Sequence, residues 1–453
     1  MSSMDRRTFL NNSGKVAVGA AAGAAVLTAA SRSSAASSEV INLGFVGVGG
    51  RGGALLQGFA ERSDCKVAAV CDVNSERLVR AKNFAEQQSG GKVQAYEDLR
   101  KMLEDKSLDA VVVATPDHWH SLAAAWACEA GKHVYVEKPV SNNVWEGRQA
   151  VKAARRNDRV VQAGMQNRSA PYNLKAREYI ASGKLGDVTL CRVYNQKHHG
   201  AFRVGPPGDP PAGLNWDMWN GPATDTRFFR DKFDHWHEFW SYGGGDVTNC
   251  GVHQLDLACM LLGIETHPNS FYTAGEKRQD SDAETPDTVI TTYQYDNLIM
   301  TFHQTLNTPY MFKTDGGIRN GDMFPYWPQN ATRIEIFGTK GIMFMGRHGG
   351  GWQVFGKPHN RKPVVVEEMY GRFPDPEHKE EFVRAIKEKR RPSADIEYGH
   401  RSAALCHFAN ISFRVGNKYL EFNPATEQIT NNDEANLLLR PEFRAPYVMP
   451  TTA

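Results

Sequence analysis

The stretch "GFVGVGGRGG" (Gly44–Gly53) sets glycines at 47, 49 and 52, the spacing G-x-G-x-x-G. With 41 glycines in the chain the pattern arises easily by chance, so its position decides its meaning. It directly follows the apolar run "INLGFV" and precedes a helical pattern, Arg51 to Ala60. A strand that turns on glycines into a helix brings backbone close to a pyrophosphate, whose charge the helix N-terminus favours. Gly50 and Arg51 belong to the same turn. Asp72 follows Gly52 by 20 residues, at the end of the next apolar run, "CKVAAVCD". A carboxylate there accepts hydrogen bonds from adenosine ribose hydroxyls and repels a 2′-phosphate, which favours NAD over NADP. Arg51, beside the loop, pulls the other way.

Outward from this turn, strand and helix patterns alternate: helix from Ser75 to Gln88, helix from Glu97, the continuous apolar strand "DAVVVATP", helix from Ser121 to Ala130, strand "HVYVEKP", helix from Trp145 to Arg156. Apolar strands between helices specify a doubly wound parallel sheet, covered on both faces. The rhythm breaks after "VVQAGMQNR", and alternating strands such as "DVTLCRVYN", "DTVITTYQYDN" and "TRIEIFGTKGIMFM" take over. The sequence thus predicts an α/β chain: an N-terminal Rossmann domain over residues 39–160, then an α+β domain over 161–453 with a large, mostly antiparallel open-faced sheet. Its last helix is expected from Glu377 to Lys389, followed by an irregular tail.

Residues 1–38 read differently. Arg6 and Arg7 precede an Ala/Gly-rich apolar stretch, Val16 to Ala30, too short to span a hydrocarbon core comfortably. They resemble a twin-arginine export signal, which implies a periplasmic or otherwise exported protein with no stable membrane span once mature. A net charge of +2 gives no reason to expect nucleic acid or an anionic membrane as partner. The seven cysteines are dispersed, without disulfide or zinc spacing. No metal is predicted, since the pair His198–His199 lacks a third ligand at suitable spacing.

"VYVEKPVSNN" (Val134–Asn143) ends a buried strand by presenting Glu137 and Lys138 and then fixing the backbone at Pro139. Together with "GVGGRG", "VVVATPDHWH", "GMQNR" and "GGGDVTNCGVHQLD" (Gly243–Asp256), it resembles the glucose–fructose oxidoreductase/inositol dehydrogenase/MocA family over nearly the whole chain. The resemblance implies that Lys138 lies beside the nicotinamide and hydrogen-bonds the reacting hydroxyl, with a cis bond to Pro139. Asn249, His253 and Asp256 recur at spacings of four and three, which puts them on one helical face. The family often has aspartate at the first of these positions; an amide orients a hydroxyl but exchanges no proton. The base is then His253, alone or with Lys138. Asp256 either braces the helix or orients His253. Thr115, Pro116, His118 and His120 either border the cofactor or start a helix. Gln166 is expected at the cofactor and Arg168 at the substrate. Trp236 and Trp240, with His235 and His237, suit an aromatic sugar platform or surface packing.

The function expected from these residues is hydride transfer from a hydroxyl of a sugar, polyol or glycoside to a tightly bound NAD. Export from the cytoplasm leaves little free NAD, so two further readings stand. One is redox-neutral glycoside cleavage, as in the NAD-dependent α-N-acetylgalactosaminidases. The other is a non-catalytic sugar- or nucleotide-binding protein. The open-faced sheet calls for a cover, which predicts a homo-dimer or homo-tetramer.

Overall fold

The computed structural model describes residues 40–278, 280–440 and 442–450. The expected export signal lies outside these residues. The first sheet comprises β1 (Ile41–Val46), β2 (Cys65–Cys71), β3 (Gln94–Tyr96), β4 (Ala110–Val113), β5 (His133–Val136) and β6 (Val161–Ala163). They run parallel in the order β3-β2-β1-β4-β5-β6. Helices α1 (Gly50–Ala60), α2 (Ser75–Ser89), α3 (Leu99–Leu103), α4 (Asp117–Glu129) and α5 (Val144–Arg156) connect them.

Successive residues of β4 feed opposite cores. Val111 and Val113 pack with Val134 and Val136, while Ala110 and Val112 pack with Leu43, Phe45 and Tyr135. Both faces are therefore covered, as a continuous apolar strand requires. Strand order reverses between β1 and β4, and the crevice beyond their carboxyl ends is where this topology binds ligands.

Three sequence expectations shift. Helix α4 begins at Asp117, not Ser121, because Pro116 is tolerated immediately before a first turn. The parallel sheet runs past the boundary expected at Val160, since β6 pairs with β5 through Val161 and Ala163. The first unit also borrows a helix from far along the chain. Asp375–Lys387 packs Phe382 against Phe59 and Tyr135, with ring centroids 6.2 and 5.8 Å apart. The dinucleotide-type unit is thus discontinuous in sequence.

The second sheet contains β7 (Val188–Gln196), β8 (Ser270–Glu276), β9 (Thr288–Gln294), β10 (Ile299–Thr305), β11 (Arg333–Gly338), β12 (Gly341–Gly346), β13 (Trp352–Phe355), β14 (Val365–Met369), β15 (Leu420–Asn423) and β16 (Gln428–Ile429). Their order is β14-β13-β12-β11-β7-β10-β9-β8-β15-β16, antiparallel except for the β7–β10 pair. Strict alternation puts Phe271, Val289 and Phe302 inward and leaves Tyr272, Ile290 and Ile299 exposed. The inner face is covered by helices Val252–Leu262 and Ile396–Arg414. The latter was not anticipated: it is buried nearly all round, so it has no polar face to give it a period. Among the described residues no helix is long and apolar enough to cross a membrane.

Candidate active site

A cavity of about 410 Å³ opens at the β1–β4 crevice. Gly47, Gly49, Gly50, Arg51, Asp72, Thr115 and Pro116, all named in the sequence as candidates for the cofactor, line it. Gly47 has φ +77, and a Cβ there would lie 2.8 Å from the Ala114 carbonyl oxygen. A Cβ on Gly52 would overlap the Gly47 carbonyl oxygen, so α1 reaches the strand only because both residues are glycine. Asp72 accepts from the Val48 and Asn74 amides at 2.9 and 2.8 Å, which fixes the loop, and burial raises its carboxyl above the usual range. This cradle fits a dinucleotide: bare backbone at the helix start, a carboxylate at the next strand end. Arg51 donates to Glu137 at 2.8 Å and to Asp375 at 3.0 Å, so its charge is already met by two carboxylates.

The far wall comes from the Pro/Gly-rich aromatic segment. Met218, Trp219, Phe233, Trp236 and His237 line the cavity together with Trp119 and Tyr447. This wall is tied to the first unit: Ser75 N–H donates to Gly213 O and Asn215 N–H to Val73 O, both at 2.9 Å. The chain's tail clamps the same wall, with Arg444 and Tyr447 both bonded to the Asp217 carboxylate. His237 stacks on Trp236 with ring centroids 3.5 Å apart. Burial, aided by the nearby Lys138 charge, lowers its pKa to about 3, so it meets the cavity as a neutral ring.

Lys138 lies two residues past β5 and is joined to Pro139 by a cis bond. Its Nζ donates to both Asn249 O and Asn249 Oδ1 at 2.9 Å. Asn249 lies in a π-helical turn, Val247–Gly251, that leads into helix Val252–Leu262. A widened turn of this kind is common at functional sites. Behind it Asp246 is fully buried and receives Lys197 Nζ at 2.6 Å and Asn195 Nδ2 at 2.7 Å. Burial would raise the Asp246 carboxyl, but the Lys197 ammonium outweighs it and lowers the pKa to about 2. His253 is buried with its Nδ1 lacking a hydrogen-bond partner among the described residues. Burial first, then the charges of Arg347, His348, Lys138 and Arg51, hold its pKa well below 6.5. The His348 ring stands edge-on to it at 4.4 Å.

Several expected site residues serve the scaffold instead. His118 Nε2 pairs with Trp219 O at 3.0 Å, and the His120 ring lies between Pro139 O at 2.6 Å and Thr115 O at 2.8 Å, donating to one of them when neutral. His120 thus staples the β4 and β5 loops together without lining the cavity. Arg168 donates to Asp256 Oδ1 at 2.8 Å and lies under Tyr398, away from the cavity. This also explains Asp256: its carboxylate is taken by Arg168 and Ser402. Gln166 donates to the Tyr135 hydroxyl at 3.3 Å, and Glu137 is buried beneath Arg51. His235 stacks on Phe202 at 4.2 Å.

The sequence reading missed Lys197, Asp246, Arg347 and His348. Asp246 stood inside a quoted motif, masked by its glycines. His348, at φ 55 before Gly349–Gly351, carries a strained backbone that the run "RHGGG" could have signalled. Three metal-type donors also meet elsewhere, at His267, His400 and Glu427, but that carboxylate already receives Arg148 and both imidazoles.

Two family descriptions match this chain: "Oxidoreductase family, NAD-binding Rossmann fold" over residues 41–165, and "Oxidoreductase family, C-terminal alpha/beta domain" over 215–420. The chain belongs to the Gfo/Idh/MocA oxidoreductase family. The first unit is therefore an NAD-binding Rossmann domain. Among curated Gfo/Idh/MocA relatives, it is 27% identical to D-glucoside 3-dehydrogenase of Escherichia coli over 49% of this chain and 54% of that one. It thus spans about half the length of that relative. A glycosyl hydrolase family 109 protein of Shewanella baltica is 34% identical over 26% of this chain and 27% of its own. Among solved structures, levoglucosan dehydrogenase in complex with NADH and levoglucosan superposes with a TM-score of 0.62 at 19% identity, covering 84% of this chain and 99% of that one. That likeness carries the fold of this Gfo/Idh/MocA protein and no more.

Proposed function

We propose that this protein oxidises a ring hydroxyl of a sugar, polyol or glycoside. NAD bound at the glycine cradle supplies the hydride acceptor. The observation that carries this reading is the pairing of Lys138, just past the carboxyl end of β5, with Asn249, four residues before the buried His253 on which the Lys138 charge acts. A substrate hydroxyl displaces one Asn249 oxygen from the Lys138 ammonium and is oriented by it. His253, held unprotonated by burial and neighbouring cations, accepts the hydroxyl proton. The aromatic wall and its clamp exclude water and slow the escape of a bound dinucleotide, which supports a resident cofactor.

The decisive measurement is single-turnover reduction of bound nicotinamide by a panel of sugars and glycosides. Lys138→Ala is expected to lower that rate by about 10²- to 10⁴-fold while NAD stays bound; unchanged turnover would remove the assignment. The family 109 relative favours redox-neutral glycoside cleavage as the second reading. Release of sugar from a glycoside without net NADH selects it; stoichiometric NADH with the glycosidic bond intact excludes it. Export through the twin-arginine route is part of the same proposal and rests on Arg6 and Arg7. Replacing both with lysine should retain the protein in the cytoplasm. Self-association through the exposed sheet face around Tyr272, Ile290 and Ile299 completes it, checked by sedimentation.

A further inference from the structure

The cleft beyond Lys138 holds more positive charge than the described residues neutralise. Arg347 follows β12 in the turn that carries His348, and its buried Nε has no hydrogen-bond partner among the described residues. Its charge is the largest one acting on His253 and His348, and it also reaches Lys313 and Arg319. Lys313 is exposed and makes no ion pair among the described residues. Arg319 lies over the Phe373 ring, 3.8 Å from its centroid, and makes no ion pair among the described residues. Lys138 is met by an amide, not a carboxylate.

Of the acids nearby, Asp246 is taken by Lys197, Glu137 and Asp375 by Arg51, and Asp375 also by Lys379, while Asp117, which faces Lys138, is pushed up to about 8 by burial and so carries little charge at neutral pH. Cys250 registers the same field. Burial and Asp246 raise its thiol, yet Arg347, Lys197 and Lys313 together bring it below the ordinary value. Like charges gathered in one cleft repel unless an anion joins them. The dinucleotide is not that anion. The cradle and its cavity are lined by Arg51 and Arg77, but not by Arg347, Lys313 or Arg319.

We infer that the substrate is an anionic carbohydrate, whose carboxylate, sulfate or phosphate is held by Arg347 and Lys313 while Lys138 meets the reacting hydroxyl. This rests on reading the cleft as a hydride-transfer site, and it names the substrate class of that site. Arg347 supplies charge-assisted hydrogen bonds from a partly buried position, where they are strong. A bound anion also offsets the charge that keeps His253 a weak base, so only a charged substrate brings that imidazole to full strength.

The test uses the full chain with its NAD. Inorganic sulfate is the smallest probe: it should raise the thermal midpoint of the wild type more than that of the double variant Arg347→Gln/Lys313→Gln. An equal rise in both overturns the inference. D-glucose, D-glucuronate, D-glucose 6-sulfate and D-glucose 6-phosphate are then compared by titration calorimetry and nicotinamide reduction, which separates the three anion types. One charged sugar should bind roughly 10- to 100-fold tighter than D-glucose, with the advantage shrinking as salt is added. Arg347→Gln should collapse that ratio, and Arg347→Lys, keeping the charge, should restore part of it. D-glucose binding as tightly as every charged sugar overturns the inference. So does an Arg347→Gln variant that loses NAD but keeps the ratio. A charged sugar that binds tightly without reducing nicotinamide keeps this inference and removes the hydride reading; D-glucose turned over with no charge preference does the reverse.

Discussion

At neutral pH the His253 ring is already in the form that accepts a proton, because burial and neighbouring cations hold its pKa well below 6.5. A base is lost as pH falls through its pKa, so the acid limb of kcat/KM should lie well under the ordinary histidine range. The expected profile is flat from pH 8 down to 6.5. A limb centred near 6.5 that disappears in His253→Ala would contradict the burial argument. This was only half legible in sequence. The motif "GGGDVTNCGVHQLD" put Asn249 and His253 at the site. The field that tunes His253 comes from Arg347, nearly a hundred residues later, and from Lys138 and Arg51, more than a hundred residues earlier. Arg168 was misread for a related reason: an arginine beside a motif looks the same whether it meets a substrate or a buried aspartate.

Among elements, the helix Asp375–Lys387 decides the integrity of a domain to which it does not belong in sequence. Phe382 is fully buried against Phe59 and Tyr135. Phe382→Ala should cost about 3–5 kcal/mol of stability, read as a lower denaturation midpoint with a loss of NAD affinity. A variant that melts like the wild type would show that the helix merely rests on the sheet. Strands and helices of the Rossmann unit were readable because their apolar runs end at glycines and prolines. Ile396–Arg414 was not, since a helix wrapped in core on every side has no hydrophobic period. The π-helical turn was hidden too, because its extra width depends on what packs against it.

Across the whole molecule, eleven histidines have pKa values lowered by burial: 118, 120, 133, 199, 237, 253, 303, 348, 378, 400 and 407. As pH falls through 6.5 the unfolded chain binds protons at these positions before the folded chain does, down to about 4 for His118, His133, His378 and His407, so stability falls as pH falls. Five carboxyls oppose this, being raised in the fold by desolvation: Asp72, Asp117, Glu146, Glu238 and Asp256, with Asp117 and Glu146 reaching about 8. The histidines outnumber them, and carboxylates such as Asp246 add to the loss below pH 4. The thermal midpoint should therefore drop steeply from pH 6.5 to 4. A midpoint that holds steady across that window would mean the rings are not as dry as they look.

Since the helix that covers one face of the nucleotide-binding sheet begins at Asp375, its timing during synthesis is constrained. A ribosome must release more than four-fifths of the polypeptide before that face can be sealed. The nascent first half would present Phe59 and Tyr135 uncovered until then, a surface for chaperones to hold. Coenzyme capture is accordingly one of the last events in the protein's maturation.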